Sequence, residues 1–319
     1  MLNSNNNRPW PGWKCYVSLI LLLAIFKNPV IAFKYKGFNF IDNKTECIIS
    51  FELVDNLIVV PVEINKNIRV NLVLDTGGRS VILFGNNFKK RLQVLDREIP
   101  LQGYGRNRNK TAFLSLENEV KLGDALGQGI SILVANGRYF FPYDGNIKIH
   151  GIIGYQVFSR FVVSIDYQNR EIVLTEPRFY LPPADYTMLN LTLKDTKPYI
   201  KLAYSAFDNN GLRGYFHIDT GSSRGALLFL KHEGGLEKKR FHSAQVGKGI
   251  NGIITGYKPV SESISIVEFQ TDTEYYVIKR KFSRKEIQDA QGSIGSGLLK
   301  RFTVVLDYVN ERFYFKSNA

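Results

Sequence analysis

Cysteine, methionine and tryptophan are scarce in this 319-residue chain, with two of each. Two cysteines build neither a disulfide framework nor a four-cysteine zinc site. The four histidines, His150, His217, His232 and His242, show no HExxH spacing and no CxxC pair accompanies them, so no metal and no cofactor is expected. Acidic residues are also outnumbered, 29 against 42 Lys and Arg, which leaves a formal charge of +13. That excess invites a nucleic-acid or membrane-surface reading until its location is known. What is plentiful is apolar surface: 44% hydrophobic and 13% aromatic positions exclude a disordered or collagen-like chain and suffice for one large core or two ordinary ones.

The charge is scattered rather than clustered. The run 15–26 is apolar apart from Ser18, follows Arg8 and Lys14, contains no acid, and is short for a bilayer span. It reads as a signal peptide over residues 1–32, with Val30-Ile31-Ala32 before a cut near Phe33; an uncleaved membrane anchor is the alternative. Export to a periplasmic or extracellular space is therefore expected. Removal of Arg8, Lys14 and Lys27 takes three of the thirteen excess charges and leaves +10. Cys15 leaves as well. Cys47 then stands alone, and a buried thiol is the ordinary reading. One basic cluster remains, Lys279-Arg280-Lys281-Phe282-Ser283-Arg284-Lys285, which reads as a solvated loop, so no nucleic-acid partner is expected and an envelope association stays open.

Beyond residue 56 short apolar or alternating runs are broken by Gly, Asn and Asp, and few stretches carry helical period. Strands are predicted at 57–64, 68–74, 161–165, 171–175, 199–204, 214–218, 303–306 and 312–315, and short helices at 87–95, 156–160 and 297–301. The chain also repeats itself. Asp75-Thr76-Gly77 returns 144 positions later as Asp219-Thr220-Gly221, and Gly103-Tyr104-Gly105 returns at the same offset as Gly247-Lys248-Gly249. Gly151-Ile152-Ile153-Gly154 answers Gly292-Ser293-Ile294-Gly295, and the run from Phe161 to Tyr167 answers that from Phe302 to Tyr308, both offset by 141. Four landmarks in one order define two copies of one unit. The expected organisation is a lead-in over 33–56, either a strand or a short propeptide with the strand preferred, then lobes at 57–183 and 184–319. A stiff connector with Pro182-Pro183 joins them. The fold class expected is mostly β: two pseudo-twofold β lobes with a cleft between them.

Each Asp-Thr-Gly ends an apolar strand, where a carboxylate is poorly solvated and held by backbone. If the pseudo-twofold axis passes near both turns the carboxylates meet, and like charges at contact cannot both ionise at neutral pH. A shared proton then lets one member activate water while the other donates a hydrogen bond to a carbonyl, which is general acid–base amide hydrolysis. The two Asp-Thr-Gly triplets, each followed some 75 residues on by the turns Ile152-Ile153-Gly154 and Ser293-Ile294-Gly295, resemble those of aspartic peptidases. The likeness is closest to bacterial retropepsin-like enzymes whose single chain carries both lobes. It spans roughly residues 57–315. That resemblance implies Asp75 and Asp219 as the catalytic pair, with Thr76 and Thr220 bonding across the loops and Gly77 and Gly221 admitting backbone N–H groups to the carboxylates. It also implies an extended peptide substrate, a fold with acid-protease lobes, and a monomer, since one chain supplies both halves.

Departures from the pattern are informative. Ser222 follows the second triplet and Gly78 the first; a serine hydroxyl near its aspartate would favour Asp219 as the ionised member and Asp75 as the proton holder. His217 lies two residues before Asp219, on the same strand face, where copy one has Val73; a packed histidine is its ordinary reading. Arg79 and Arg224 follow the two triplets, at the edge of the expected cleft or simply solvated. Gly247-Lys248-Gly249-Ile250-Asn251-Gly252 spells GxGxxG but lacks a strand–turn–helix setting, so it reads as a hairpin matched to Gly103-Tyr104-Gly105. Residues 103–110, with Tyr104, are the candidate flap over the substrate, made basic by Arg106, Arg108 and Lys110. The sequons at Asn43, Asn109 and Asn190 carry no weight in a bacterial setting. The leading expectation is an exported aspartic endopeptidase with an acidic or near-neutral optimum. The alternative is a non-catalytic peptide- or glycan-binding protein on the same scaffold.

Overall fold

The computed structural model describes residues 36–101, 103–105, 110–136, 147–206, 209–230, 240–260, 263–279, 287 and 289–318. The predicted signal segment 1–32, Arg106, Arg108, Asn109, His232 and the cluster beyond Lys279 lie outside them. Lys34–Ala319 form one compact unit, and its regular structure among the described residues is almost entirely strand, with helices confined to single turns. The helix predicted at 87–95 covers only Asn87–Arg91, because Leu92 turns extended and a strand, Val94–Pro100, begins two residues later. Three consecutive cations close that turn, favourable at a helix C-terminus but no substitute for an apolar face.

The repeat read in the sequence is a repeat of topology. In the first half Gly151–Ile153 runs parallel to Ile68–Leu74 and antiparallel to Val81–Phe84, which in turn runs parallel to Ala125–Ala135. In the second half Gly292–Gly295 runs parallel to Asn209–Asp219 and antiparallel to Ala226–Leu230, which runs parallel to Thr271–Lys279. Strands covered on both faces should be continuously apolar rather than alternating. Val81–Phe84 and Gly151–Ile153 are buried at every position.

A six-stranded layer joins the halves in the order Glu46–Ser50, Glu171–Thr175, Val162–Asp166, Phe302–Asp307, Arg312–Ser317, Thr187–Lys194. At its centre the two equivalent strands pair antiparallel, and Ser164 faces Val305, its own counterpart at offset 141. The pseudo-twofold axis therefore passes through that pair. Glu46–Ser50 occupies on one flank the place that Thr187–Lys194 occupies on the other. Residues 46–50 are thus the opening strand of the first copy, which extends back beyond the boundary read at 57. Gly37–Phe40 pairs with Ala125–Ala135, so the lead-in is woven into both layers. Cys47 is buried on its strand, and burial pushes its thiol above the usual range.

One apolar core runs through both halves and the shared layer, from Phe38 and Ile49 to Phe313 and Phe315. Two smaller clusters sit higher, one in each half. The first gathers Val73, Ile82, Phe84 and Ile152; the second gathers Tyr199, Leu227, Phe229 and Tyr276.

Candidate active site

Both acids stand where a buried strand ends, Asp75 just after Ile68–Leu74 and Asp219 at the end of Asn209–Asp219. Their loops are built alike. Asp75 N–H donates to the Ile153 carbonyl (2.8 Å), Gly78 N–H donates to the Asp75 carbonyl (3.0 Å), and the Gly78 carbonyl accepts from Tyr155 N–H (2.8 Å). In the second half Ser222 N–H donates to the Asp219 carbonyl (3.1 Å) and the Ser222 carbonyl accepts from Ser296 N–H (2.8 Å). The turns at Gly154 and Gly295 carry no side chain because the loops press on them. A Cβ on Gly154 would fall onto the Asp75 and Gly78 carbonyls, and one on Gly295 would lie 2.7 Å from the Ser222 carbonyl.

Two threonines tie the loops together. Thr76 N–H donates to Thr220 Oγ1 and Thr220 N–H donates to Thr76 Oγ1, each at 3.0 Å. The Thr76 hydroxyl then donates to the Ile218 carbonyl (2.6 Å), and the Thr220 hydroxyl to the Leu74 carbonyl (2.7 Å). Both side chains are buried, so every partner is needed. Below them the Ser296 hydroxyl donates to the Thr220 carbonyl (3.1 Å) and lies 3.2 Å from the Tyr167 hydroxyl. The counterpart of Tyr167, Tyr308, is instead stacked on Phe158 at 5.3 Å, and burial together with both aspartates holds its phenol far above the usual range. The symmetry breaks here because Ser296 is matched by Tyr155, which is too large to repeat the hydroxyl contact.

The carboxyl groups face each other across the axis. Gly77 N–H donates to Asp75 Oδ1 at 2.7 Å. A Cβ on Gly221 would lie 2.5 Å from Asp75 Cγ, so only glycine lets the second loop come this close to the first acid. Gly77 reciprocates, its missing side chain leaving room 3.5 Å from Asp219 Oδ1. Burial, then the Asp219 charge, raise Asp75 to about 7, against smaller lowering by Gly77 N–H, Lys197 and Gly78 N–H. His217, buried at 3% exposure, sits with Nδ1 3.8 Å from Asp219 Oδ2.

Above the pair lies a cavity of about 900 Å³ lined by both acids, Gly77, Gly221, Ser222, His217 and residues of two hairpins, one from each half. Gly103, Tyr104 and Gly105 come from the first half, between Val94–Pro100 and Thr111–Leu122. Gly247–Gly249 prove to be the end of the strand Phe241–Gly249, and the turn to Gly252–Pro259 is made by Ile250 and Asn251. The GxGxxG string is therefore a hairpin, with no helix behind it. The hairpins meet. Asn251, buried at 2% exposure, donates from Nδ2 to the Gly103 carbonyl (3.0 Å), accepts from Lys110 N–H at Oδ1 (3.1 Å), and donates from its own N–H to the Tyr104 carbonyl (2.8 Å). Ile250 packs on the upper cluster of the first half while Tyr104 packs on that of the second.

Arg79 and Arg224 both line the cavity but are engaged rather than simply solvated. Arg79 pairs with Asp195 of the other half. Arg224 donates from Nε to the Val246 carbonyl (2.6 Å) and lies over the Tyr276 ring at 5.0 Å. Sequence reasoning placed Asn251 in a hairpin without giving it a role and missed Asp195 altogether; an isolated Asn inside a glycine-rich hairpin and one Asp in a turn give no pattern to search for.

Two β halves with twofold-related acid loops under a common cavity define the acid-protease fold. Residues 60–157 match the aspartyl protease family, and the crystal structure of an aspartic proteinase from Irpex lacteus is similar over 86% of this chain and 98% of that one. Its TM-score is 0.51 at 14% identity. No curated protein matches the sequence. The match over residues 60–157 and the shared fold make the chain similar to aspartic peptidases, and they support peptidase chemistry in general.

Proposed function

We propose that the protein is an exported aspartic endopeptidase that hydrolyses an extended polypeptide segment laid across the cavity, with Asp75 and Asp219 as the catalytic pair. The observation that carries this reading is the buried, facing pair itself, in which burial and then the Asp219 charge push Asp75 up to about 7. Asp219 is then the ionised member. It takes a proton from a water held between the acids, the water oxygen bonds to the scissile carbonyl carbon, and Asp75 gives its proton to the carbonyl oxygen. The resulting gem-diol collapses as Asp219 passes its proton to the leaving nitrogen and a diol hydroxyl returns a proton to Asp75. The carbon–nitrogen bond breaks, and the pair is restored. Thr76, Thr220, Gly77, Gly221 and Ser222 hold the two loops, and Gly103, Tyr104 and Gly105 contribute to the roof over the substrate.

No second chain is required, since both halves of the site belong to one polypeptide, and the active species is a monomer. Export rests on the apolar run at 15–26 and its flanking cations. Asp75→Asn and Asp219→Asn should each lower kcat/KM on a peptide library by about 10²- to 10⁴-fold, the usual worth of one acid–base group. Full proteolysis in either variant refutes the assignment. Peptide binding without turnover, indifferent to both substitutions, would instead favour a binding protein on the same scaffold.

A further inference from the structure

The twofold repeat makes one side chain conspicuous. At the position two residues before the acid, the first half uses Val73 and the second uses His217, although both sit on equivalent buried strands. A β-branched residue satisfies the packing of such a strand, as Val73 does. An imidazole buried at 3% exposure adds a polar, titratable group whose charged form burial disfavours. Its surroundings place the ring between the two acid loops. Nδ1 is 3.8 Å from Asp219 Oδ2, and Cε1 lies 3.2 Å from the point where a Gly77 side chain would begin, so the ring bridges from the second acid to the loop of the first. Tyr199, its neighbour on the adjacent strand, covers one face at 5.4 Å between ring centres.

We propose that His217 is a positioning residue that governs the proton balance of the aspartate pair: as an imidazolium it holds Asp219 ionised in acid, and so extends the active pH range downward. The proposal rests on the catalytic reading of Asp75 and Asp219 above. Titratable and charged groups facing the ring are Asp219 on its own strand, Asp75 from the opposite loop, and Tyr199 and Lys197 from the adjacent strand; Gly292–Gly295 on the other side brings only Ser293. Lys197 opposes a second positive charge, but its field falls on Asp75, which it lowers. Asp219 is the nearer partner of His217, and an opposite charge at this distance favours the ionised form of both. The three groups lose their protons as a set, so the signature is a displaced limb of the pH profile rather than a lost rate.

The test compares pH profiles of kcat/KM for the wild type, His217→Val, which installs the residue of the first half, and His217→Gln, which keeps a polar side chain without the charge. Both variants should show the acidic limb moved up by about one unit or more, with activity near the optimum changed far less. Coincident acidic limbs in a fold-competent variant overturn the proposal. The second measurement is independent of turnover: the His217 imidazole titration followed by NMR in the wild type and in Asp219→Asn. Its pKa should fall by about one unit or more when the carboxylate is removed. An unchanged value overturns the proposal even where the valine variant does not fold. An inactive wild type would count against the catalytic reading instead, leaving the NMR result to judge the His217–Asp219 linkage.

Discussion

Replacing Thr76 by valine keeps the shape of the side chain and deletes one oxygen. That oxygen accepts from Thr220 N–H and donates to the Ile218 carbonyl, at 3.0 and 2.6 Å, where both threonines are buried. The orphaned N–H costs about 1–3 kcal/mol, and the carbonyl, which tolerates under-satisfaction better, adds less. A loss of about 2–4 kcal/mol is therefore expected, read from the urea midpoint with the slope of the transition unchanged. Thr76→Ser, which retains the oxygen, should lose well under half as much. Thr220→Val should match Thr76→Val by symmetry. The double variant should fall short of the sum, because loops that have already parted let water reach both N–H groups. Either valine variant losing less than about 0.5 kcal/mol, or serine costing as much as valine, would refute the claim that these hydroxyls hold the two loops together.

Two further outcomes follow from the geometry. Asn251→Ala removes two cross-cavity bonds and should speed hydrogen exchange at the amide of Asn251 while leaving those of Thr76 and Thr220 unchanged; equal protection in both proteins would show that the roof does not depend on that side chain. Because Asp75 binds its proton more tightly folded than unfolded, its burial favours the folded state at acid pH, and that contribution is lost as pH rises from about 4 to about 7. Stability measured across that window should decline in the wild type and flatten in Asp75→Asn, and parallel curves would contradict the raised value.

Much of this architecture was legible because it is written twice. A lone Asp-Thr-Gly is an ordinary turn, but two in register with their Gly-turn partners force a twofold frame, and the strands between them announce themselves by continuous apolar runs. Glu46–Ser50 was harder to place within the repeat, since the opening strand of each copy carries no motif and only pairing reveals its partner at Thr187–Lys194. The helix at 87–95 was overread because Leu92, Val94 and Leu95 continue an apolar pattern that the backbone spends on a strand. Asn251 stayed hidden for another reason. A buried polar residue gains its meaning from groups some 140 residues away, Gly103 and Lys110, and local composition does not record them.

The meeting of the two hairpins has a mechanical consequence. Floor, walls and roof are all contributed by one chain, and the roof is closed by Asn251 with Ile250 and Tyr104 each seated in the opposite half. On the proposed reading, a polypeptide crossing the cavity would be encircled rather than merely cradled. Encirclement selects for topology before it selects for side chains: a loose end can be threaded, whereas an internal loop enters only when the tip contacts part, and a tightly folded domain does neither. On that reading, departure would be bound by the same rule, so contacts that delay capture would also delay escape, and the time a substrate spends over the two acids would depend on the roof as well as on its fit to the walls.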